Sequence, residues 1–485
     1  MPVEQFFCNS CIFTQNNVSG GEDRKGANRD IFEIADGCRY DGESGHECSL
    51  YRNEKSARNF VIYWRIGQLE ESGIFCYIKT MKLPKPITYI TRDLERAIGM
   101  DPSSEYTIVA NKTPYAESYA TRFPEGSVVL VNGAPEDGVL GTRELMDHPV
   151  VKEKLIACPS DVLVFKNTAR VEESAAKSGL RLLNPRANLS ETVENKMSQI
   201  EWLGELGKKY LPRHIVMPAK NLTWMGEPFI VQWAHGHTGS GTLLVSSEVE
   251  LKTIQEKFPY RVTRRTTYIH GSSFTVNAVV AADKILVGNI SYQITGLAPL
   301  TDHQFTTVGN DWSATHSLLN ETEIEFIETM VSDIGKKLNI AGWRGLYGVD
   351  ILRDDKTGQI YLIEINARQP ASTSFESYLQ QKNRLAGIKG ITTFEAHLKA
   401  LLGDKIDQPL IPINDGAQIV QRVTAKITSV PAEKIAALES LGYNITVYPN
   451  TDLNEDLVRI QGANGIIETH GVFNERGKEI IAIIS

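Results

Sequence analysis

The chain has 485 residues, of which 41% are hydrophobic and 23% are charged, and its formal net charge is −8. This length predicts three or four domains, and the composition is that of a soluble globular protein. The negative charge argues against a general nucleic-acid-binding protein, and no apolar run approaches the roughly 18–20 residues that span a bilayer. Polar sequence follows Met1 without a secretory signal, so we expect a cytoplasmic protein.

Cysteines are concentrated at the start of the chain. Four of the six lie within the first 48 residues, which does not indicate a disulfide framework in a chain of this length. A Cys-x-x-Cys knuckle followed by two more thiols could hold a structural zinc, and unpaired, partly buried thiols are the alternative. The candidate zinc ligands are Cys8, Cys11, Cys38 and Cys48.

The first half of the chain predicts a polar head followed by an α/β domain. The head covers residues 1–82 and ends at a Leu-Pro-Lys-Pro break. Strand-like runs at 107–110, 128–131 and 162–165, with a helix at 170–178, then predict a parallel sheet with crossover helices. Because this region has no Gly-x-Gly-x-x-Gly turn, a dinucleotide site is not supported.

The second half predicts a mixture of helices and strands. We expect one helix from about 190 to 210, strand-rich sequence from 213 to about 300, and a helix near 321–337. A hairpin then precedes a helical stretch at about 375–402. The last unit opens with the alternating strand 418–423 and continues through a helix at 431–441 and three strand signals.

A glycine-rich loop lies between two apolar strands in residues 228–245. Glycines let backbone N–H groups approach an anion, and hydroxyl side chains add donors. The loop is therefore either a flexible lid over phosphates or an ordinary hairpin loop. It is not a Walker loop, because no Gly-Lys-Ser/Thr ends it. Its candidate anion-binding residues are Gly236, Thr238, Gly239, Ser240 and Gly241.

The most informative segment is the hairpin formed by residues 346–353 and 361–368. The turn signal at 354–359 places Asp350 close to opposite Glu364, and strand periodicity puts Asn366, Arg368 and Leu362 on the face of Glu364. Facing carboxylates repel unless a cation lies between them. Two carboxylates and an amide oxygen suit Mg²⁺, whereas the alternative is a solvated polar strand face.

Together these parts resemble the ATP-grasp superfamily over about residues 85–425, and the layout is most similar to biotin carboxylase and to carboxylate-amine ligases. The resemblance implies that Lys196 contacts ATP phosphate, that the glycine loop is the lid, and that a hinge strand holds adenine. It further implies that Asp350, Glu364 and Asn366 bind Mg²⁺ (or Mn²⁺), and that Arg368 and Arg422 are catalytic. The remaining ATP-binding residues implied by the resemblance are Gln232, Thr267, Tyr268, Ile269 and Leu352.

Three departures from the family pattern limit this comparison. Gln232 stands where the lid strand usually has a lysine, and Thr266 stands where the hinge usually has a glutamate. The Gln-Val-Glu-His sequence of the carboxylases is absent after Arg368. Bicarbonate chemistry is therefore disfavoured, and a non-catalytic nucleotide-binding protein is one alternative.

The expected fold is α/β and α+β multidomain: an ATP-grasp fold with a preceding Rossmann-like domain and a small C-terminal β-rich domain. The expected boundaries are 1–82, 83–190, 191–405 (lid about 213–285) and 406–485. The resemblance implies an ATP- and Mg²⁺-dependent ligase that activates a carboxylate as an acyl phosphate for attack by an amine or similar nucleophile. A biotin carboxylase-like or kinase-like enzyme is the nearest alternative. We expect no membrane or nucleic-acid partner, and the sequence is compatible with an oligomer.

Overall fold

The computed structural model describes residues 81–133, 139–234 and 241–485, together with the backbone of four short strands near the start of the chain. The chain divides into two compact units, Met1–Thr80 and Met81–Ser485. In the first unit β1 (Phe6–Cys8) pairs antiparallel with β2 (Cys11–Phe13), and β3 (Phe32–Ile34) pairs antiparallel with β4 (Cys38–Tyr40). The proposed zinc ligands fall outside the residues whose side chains are described, as do residues 235–240 of the glycine loop.

The second unit begins with a four-stranded parallel sheet, which confirms the predicted α/β arrangement. Alternate strand residues pack on opposite faces, so that Tyr89 and Ile108 enter one apolar cluster and Ile90 and Val109 enter another. The strands, in the order β7-β6-β5-β8, are β5 (Ile87–Ile90), β6 (Tyr106–Asn111), β7 (Val128–Val131) and β8 (Asp161–Val164). The helices are α1 (Pro114–Ala120), α2 (Thr142–Asp147), α3 (Pro149–Ala157) and α4 (Ala169–Lys177), with a 3₁₀ helix at Leu94–Arg96.

The single helix predicted for 190–210 is wrong, because the segment forms three short helices. These are α5 (Ala187–Glu194), α6 (Ser198–Leu203) and α7 (Glu205–Tyr210). Asn195 is extended at φ −70°, ψ 119°, and its side chain accepts from the Met197 amide at 2.9 Å. Gly204 has a φ of +57°, which separates the second and third helices. Lys196 therefore lies in a connection between helices.

A four-stranded antiparallel sheet follows and carries the glycine loop between two of its strands. The strands, in the order β11-β10-β12-β9, are β9 (His214–Pro218), β10 (Phe229–Gln232), β11 (Thr242–Val245) and β12 (Val262–Thr267). Helix α8 (Glu248–Lys257) follows β11, and its Leu251 packs with Phe229, Val231 and Trp233 in one apolar cluster. A short 3₁₀ helix covers Ala219–Asn221. We call this part the lid sheet.

An eight-stranded antiparallel sheet contains the hairpin and the first strand of the predicted C-terminal unit. The strands are β13 (Gly271–Val280), β14 (Ile285–Thr295), β15 (Thr307–Asp311), β16 (Gly345–Asp354), β17 (Ile360–Asn366), β18 (Ala417–Arg422), β19 (Asn444–Val447) and β20 (Asp456–Gly462). Their order is β17-β16-β13-β14-β15-β18-β20-β19, so β18 continues the sheet by pairing with β15. One face packs against the long helix α10 (Glu321–Ile340), whose Ile327, Met330 and Ile334 are buried in the largest apolar cluster.

The remaining described elements are six helices and one short hairpin. The helical stretch predicted for 375–402 is two helices, because Gly387 and Gly390 adopt positive φ values of 96° and 154° between them. The helices are α9 (Thr315–Leu318), α10 (Glu321–Ile340), α11 (Thr373–Leu385), α12 (Thr393–Leu402), α13 (Ala432–Ser440) and α14 (Glu475–Ile484), and the last hairpin is β21 (Ile467–Thr469) with β22 (Val472–Phe473). No described helix combines the length and apolar character needed to cross a bilayer.

Candidate active site

The carboxylate hairpin forms with the predicted register. Strands β16 and β17 pair antiparallel, with Asp350 directly opposite Glu364 and Gly348 opposite Asn366. A β-bulge follows, so that Ile351 pairs with Leu362. Leu362 is consequently buried in the apolar core, and the prediction that it shares the face of Glu364 is wrong. The bulge allows the hairpin to present carboxylates on one face and still fill the core on the other.

Asp350 is held by amide donors at the centre of this face. Its Oδ1 accepts from Gln293 Nε2 at 2.9 Å, and its Oδ2 accepts from Asn366 Nδ2 at 3.0 Å. Burial, followed by the negative charge of Glu364, raises the pKa of Asp350 to about 6. The negative charge of Asp350 thus lacks full compensation, which favours the uptake of a cation beside it.

Lys196 lies at the junction of the hairpin and the lid sheet. Its side chain is only 4% exposed, and its Nζ lies 3.1 Å from Glu364 Oε2. Its backbone N–H donates to the carbonyl of Ala234 at 3.2 Å, immediately before the glycine loop. The break between α5 and α6 therefore brings the predicted phosphate-binding lysine to both the carboxylates and the base of the loop.

Arg368 is anchored beside the carboxylates by residues from the α/β part of the chain. Its Nη2 donates to Asn366 Oδ1 at 2.7 Å, and its Nε lies 3.2 Å from Glu194 Oε1. Glu194 also forms an ion pair with Lys166. The guanidinium lies 5.8 Å from the ring centre of Phe165. The sequence did not identify Glu194, Lys166 and Phe165 as supports for Arg368. Their contacts depend on how α5 packs beside the end of β8.

Gln232 is paired with a buried arginine on the neighbouring strand. Arg264, directly opposite it, donates to Gln232 Oε1 from Nε at 2.9 Å and from Nη2 at 2.6 Å. Nη2 also donates to the Ile363 carbonyl at 3.2 Å, and Nη1 is buried without a hydrogen-bond partner among the described residues. Burial lowers the pKa of Arg264 to about 10. The strand position of Gln232 therefore has a buried cation beside it, Arg264 on β12, although residue 232 itself is uncharged.

The other predicted nucleotide residues lie around this junction. Thr267, Tyr268 and Ile269 occupy the end of β12 and the connection to β13, which joins the lid sheet to the eight-stranded sheet. Leu352 lies two positions after Asp350 on the same strand, opposite Tyr361. Gly241 borders β11, and its carbonyl accepts from the Trp233 amide at 2.9 Å. Gly236, Thr238, Gly239 and Ser240 lie outside the described residues.

Arg422 is buried among internal partners. Its Nη1 lies 2.8 Å from Asp456 Oδ1 and donates to the Asn454 carbonyl at 2.9 Å. Its Nη2 donates to the Thr307 carbonyl at 3.3 Å. In the described part of the chain its partners thus belong to β15, β20 and the loop before β20. The structure does not bring Arg422 into contact with the carboxylate hairpin, and a catalytic role for it stays a prediction.

Sequence reasoning left a row of polar side chains across the eight-stranded sheet unassigned. Gln293 binds Asp350, its strand partner Asn310 donates to Ser291 Oγ at 3.2 Å, and Gln418 donates to Asn310 Oδ1 at 3.1 Å. Gln293 and Gln418 alternate with apolar neighbours along their strands, whereas Asn310 lies between Gly309 and Asp311. The alternation around the two glutamines is the signal that could have identified a polar sheet face. The row extends the site from the hairpin toward β18.

The chemistry of these donors suits a hard cation. No group of three or more His, Cys, Asp or Glu side chains in the described ranges is positioned to hold a metal. The candidate set instead combines the carboxylates of Asp350 and Glu364 with the amide of Asn366. Mg²⁺ prefers one or two carboxylates and leaves its other positions to water and phosphate oxygens, so these residues fit it.

Comparisons with known proteins agree with this geometry. A model of the ATP-grasp domain matches residues 193–372. The fold is similar to N5-carboxyaminoimidazole synthetase from Staphylococcus aureus in complex with ADP, at 12% identity and a TM-score of 0.55, covering 84% of this chain and 99% of that chain. It is also similar to L-amino acid ligase from Bacillus licheniformis, at 14% identity and a TM-score of 0.56, covering 83% and 98%.

A larger enzyme shares the same fold over part of its length. Pyruvate carboxylase from Rhizobium etli has 14% identity and a TM-score of 0.52, covering 79% of this chain and 36% of that chain. A comparison with curated protein sequences gave no match. The predicted resemblance is confirmed by the domain match and by the fold: residues 193–372 of this chain form an ATP-grasp domain.

Proposed function

We propose that this protein is an ATP- and Mg²⁺-dependent ligase that activates a carboxylic acid as an acyl phosphate and joins it to an amine. The observation that carries this proposal is the junction of Asp350, Glu364, Lys196 and Arg368. Two facing carboxylates suit a metal ion, a buried lysine suits phosphate, and an arginine beside them suits a carboxylate substrate.

Nucleotide binding would draw on both sheets. Asp350, Glu364 and Asn366 would hold Mg²⁺, which supplies charge neutralisation at the β- and γ-phosphates when it is bound. Lys196, now paired with Glu364 at 3.1 Å, would turn its ammonium to phosphate oxygens once the metal compensates Glu364. Arg264, with Nη1 unpartnered among the described residues, supports a further phosphate contact beside Gln232.

The reaction would proceed in two displacements. A carboxylate oxygen of the substrate attacks the γ-phosphorus of ATP, which forms an acyl phosphate and releases ADP. The amine nitrogen then attacks the acyl carbon, loses a proton and displaces inorganic phosphate. Arg368 would orient the carboxylate and stabilise the negative charge of the intermediate, because Glu194 and Asn366 fix its guanidinium.

The residues after Arg368 favour this ligase chemistry over a bicarbonate-dependent carboxylase, because Gln369 is followed by Pro370 and Ala371 where the carboxylases have valine and glutamate. Gln369 is only 3% exposed, accepts from the Tyr89 hydroxyl at 2.8 Å and donates to the Arg96 carbonyl at 2.6 Å. It therefore fastens the hairpin to the α/β sheet and does not face a substrate. One protein of similar fold is named an L-amino acid ligase, which supports an amine as acceptor.

The test is the combined substitution Asp350→Asn with Glu364→Gln. Both changes keep side-chain size but remove the two negative charges that hold the metal. We expect ATP turnover, measured as phosphate release with a panel of carboxylates and amines, to fall by at least about a hundredfold. The matched control is Glu325→Gln with Glu328→Gln, which removes two exposed charges from α10.

Thermal unfolding and circular dichroism would show that both variants keep the fold. Undiminished turnover in the hairpin variant would overturn the metal assignment. Phosphate release that requires bicarbonate and no amine would favour the carboxylase alternative instead, and a stable phosphorylated product would favour a kinase. Nucleotide binding by the wild type without phosphate release, against the whole panel, would indicate a non-catalytic nucleotide-binding protein.

A further inference from the structure

A cavity of about 270 Å³ lies apart from the carboxylate hairpin. It opens between the residues that follow β5 and β6 and the residues at the end of β19. Ligands of open parallel sheets bind beyond the carboxyl ends of the strands, and this cavity occupies that position on the α/β sheet. Its lining includes Arg92, Asp93, Glu95, Tyr115, Tyr448 and Glu455.

Glu95 is the buried charged group in the wall of the cavity. It is only 8% exposed, and its Oε1 accepts from the Tyr448 hydroxyl at 2.7 Å. Its other oxygen, Oε2, has no hydrogen-bond donor in the part of the chain that the structure describes. Burial and the neighbouring Asp93 raise the pKa of Glu95, because the cations nearby do not fully compensate its charge.

Arg96 Nε lies 4.0 Å from Glu95 Oε1, and the cations around Glu95 also have other partners. Arg92 Nε lies 3.1 Å from Asp93 Oδ1, and Arg96 Nη1 donates to the Ala371 carbonyl at 3.2 Å. Arg459 donates to the Tyr448 hydroxyl at 2.9 Å and lies 3.2 Å from Asp456 Oδ2. Asp93 and Glu455 also line the cavity, and Arg92 is the one cation among its described lining residues, so the lining is net negative.

Aromatic groups complete a site with the character of an ammonium pocket. Tyr115 and Tyr448 both line the cavity, and aromatic faces attract organic cations. An alkylammonium group has three N–H donors and no acceptor, so it matches a carboxylate oxygen that lacks a donor. An anion would instead meet Glu95, Asp93 and Glu455, which disfavours a carboxylate or phosphate ligand.

The cavity is linked to the carboxylate hairpin through one aromatic ring. The guanidinium of Arg96, the residue after Glu95, lies 5.3 Å from the ring centre of Phe165. The guanidinium of Arg368 lies 5.8 Å from the same ring centre. Phe165 therefore lies near both the residue next to Glu95 and the arginine beside the carboxylates.

We infer that this cavity binds a primary alkylammonium ion, with Glu95 as its counter-ion. The inference goes beyond the proposed function and does not depend on it. It predicts that a small aliphatic amine binds here and that Glu95 determines its binding. Glu95 is thus a binding residue and takes no part in holding the nucleotide.

The experiment measures binding of butylamine to the full chain by ligand-observed NMR, with butyrate and butanol as comparison probes. Glu95→Gln removes the charge but keeps an acceptor for Tyr448. Val447→Trp fills the cavity from its rim, where Val447 is 45% exposed. The matched control is Val472→Trp in β22, which is 43% exposed and does not line the cavity. Affinity for Mg²⁺–ADP is measured on every protein.

We expect butylamine to bind the wild type and Val472→Trp equally, and to bind Glu95→Gln and Val447→Trp at least about tenfold more weakly. Affinity for Mg²⁺–ADP should be the same in all four. Equal butylamine binding by all four proteins, or butyrate binding as tightly as butylamine, would overturn the inference while nucleotide binding stands. Loss of nucleotide binding in every protein, with the butylamine pattern intact, would overturn the proposed function alone. If Glu95→Gln does not fold, the inference is tested by Val447→Trp and Val472→Trp alone, and equal butylamine binding by these two variants would overturn it.

Discussion

At the scale of single residues, the lid sheet carries its buried positive charge at Arg264 on β12. The family pattern has a lysine instead at the position of Gln232, on β10. Gln232 accepts two hydrogen bonds from Arg264, its direct neighbour across the strand pair. The buried guanidinium also reaches the Ile363 carbonyl of the hairpin. A second cation at position 232 would repel Arg264 in this buried environment.

This arrangement predicts that a positive charge at position 232 on β10 can replace the one at position 264 on β12. Arg264→Gln should raise the KM for ATP at least about tenfold, because a phosphate contact is lost. Gln232→Lys alone should lower the melting temperature, since it buries a second cation beside Arg264. In the double variant Gln232→Lys with Arg264→Gln, the KM for ATP and the melting temperature should both return most of the way to their wild-type values. Steady-state kinetics and thermal unfolding measure these effects.

The control for the exchange is Arg265→Gln, on the adjacent position of β12. Its guanidinium lies 4.4 Å from the ring centre of Phe229, on the other face of the strand. We expect it to leave the KM for ATP unchanged. A double variant no better than the two single variants combined would contradict the exchange, because additivity indicates independent sites.

At the scale of elements, a buried carboxylate joins two strands of the sheet to two helices. Glu376 of α11 is fully buried, and it accepts from Asn277 of β13, Asn289 of β14 and Thr393 of α12. Burial raises the pKa of Glu376 to about 7, although these donors act in the opposite direction. The same group that fixes the helices therefore makes their packing depend on pH.

The direction of this dependence follows from proton binding. The pKa rises from 4.5 to about 7 on folding, so the folded state binds more protons than the unfolded state between these values. The contribution of Glu376 to stability is therefore fully present below pH 4.5 and is lost as the pH rises through about 7. The loss amounts to about 3 kcal/mol of unfolding free energy.

Glu376→Gln should remove this dependence. The difference in unfolding free energy between wild type and variant, measured by urea denaturation, should change by about 3 kcal/mol in favour of the variant from pH 4.5 to pH 7. The exposed substitution Glu328→Gln on α10 is the control and should give a constant difference. A constant difference for Glu376→Gln as well would show that Glu376 titrates alike in both states.

At the scale of the whole molecule, the candidate active site exists only where separate parts of the second unit meet. Lys196 comes from a helical connection, Glu364 from the eight-stranded sheet, Ala234 from the lid sheet, and Phe165 from the α/β sheet. A ligand that bridges these parts binds the folded state and not the unfolded chain. Its free energy of binding therefore adds to the stability of the entire unit.

A non-hydrolysable ATP analogue with Mg²⁺ should accordingly raise the melting temperature. At about 100 times the dissociation constant the expected stabilisation is about 2.7 kcal/mol of unfolding free energy. Differential scanning calorimetry measures it, and the same analogue with EDTA provides the control without metal. The Asp350→Asn, Glu364→Gln variant should show little of the shift. An equal shift in that variant would indicate that the nucleotide binds elsewhere.

The sequence by itself determined what depends on short-range order along the chain. Turn signals and strand periodicity sufficed to place Asp350 opposite Glu364, and alternating apolar runs sufficed to predict the parallel sheet. The sequence did not predict the β-bulge at Ile363 or the helix break at Asn195, because both depend on how each segment packs against its neighbours.

Only the tertiary structure decided which distant side chains meet. The pairing of Arg264 with Gln232, the support of Arg368 by Glu194, and the cavity at Glu95 each join residues from different elements. No pattern within one strand or helix encodes these contacts, because they arise from the packing of sheets whose relative placement is set by the whole core. The sequence thus indicates the carboxylate hairpin, and the fold decides which distant side chains surround it.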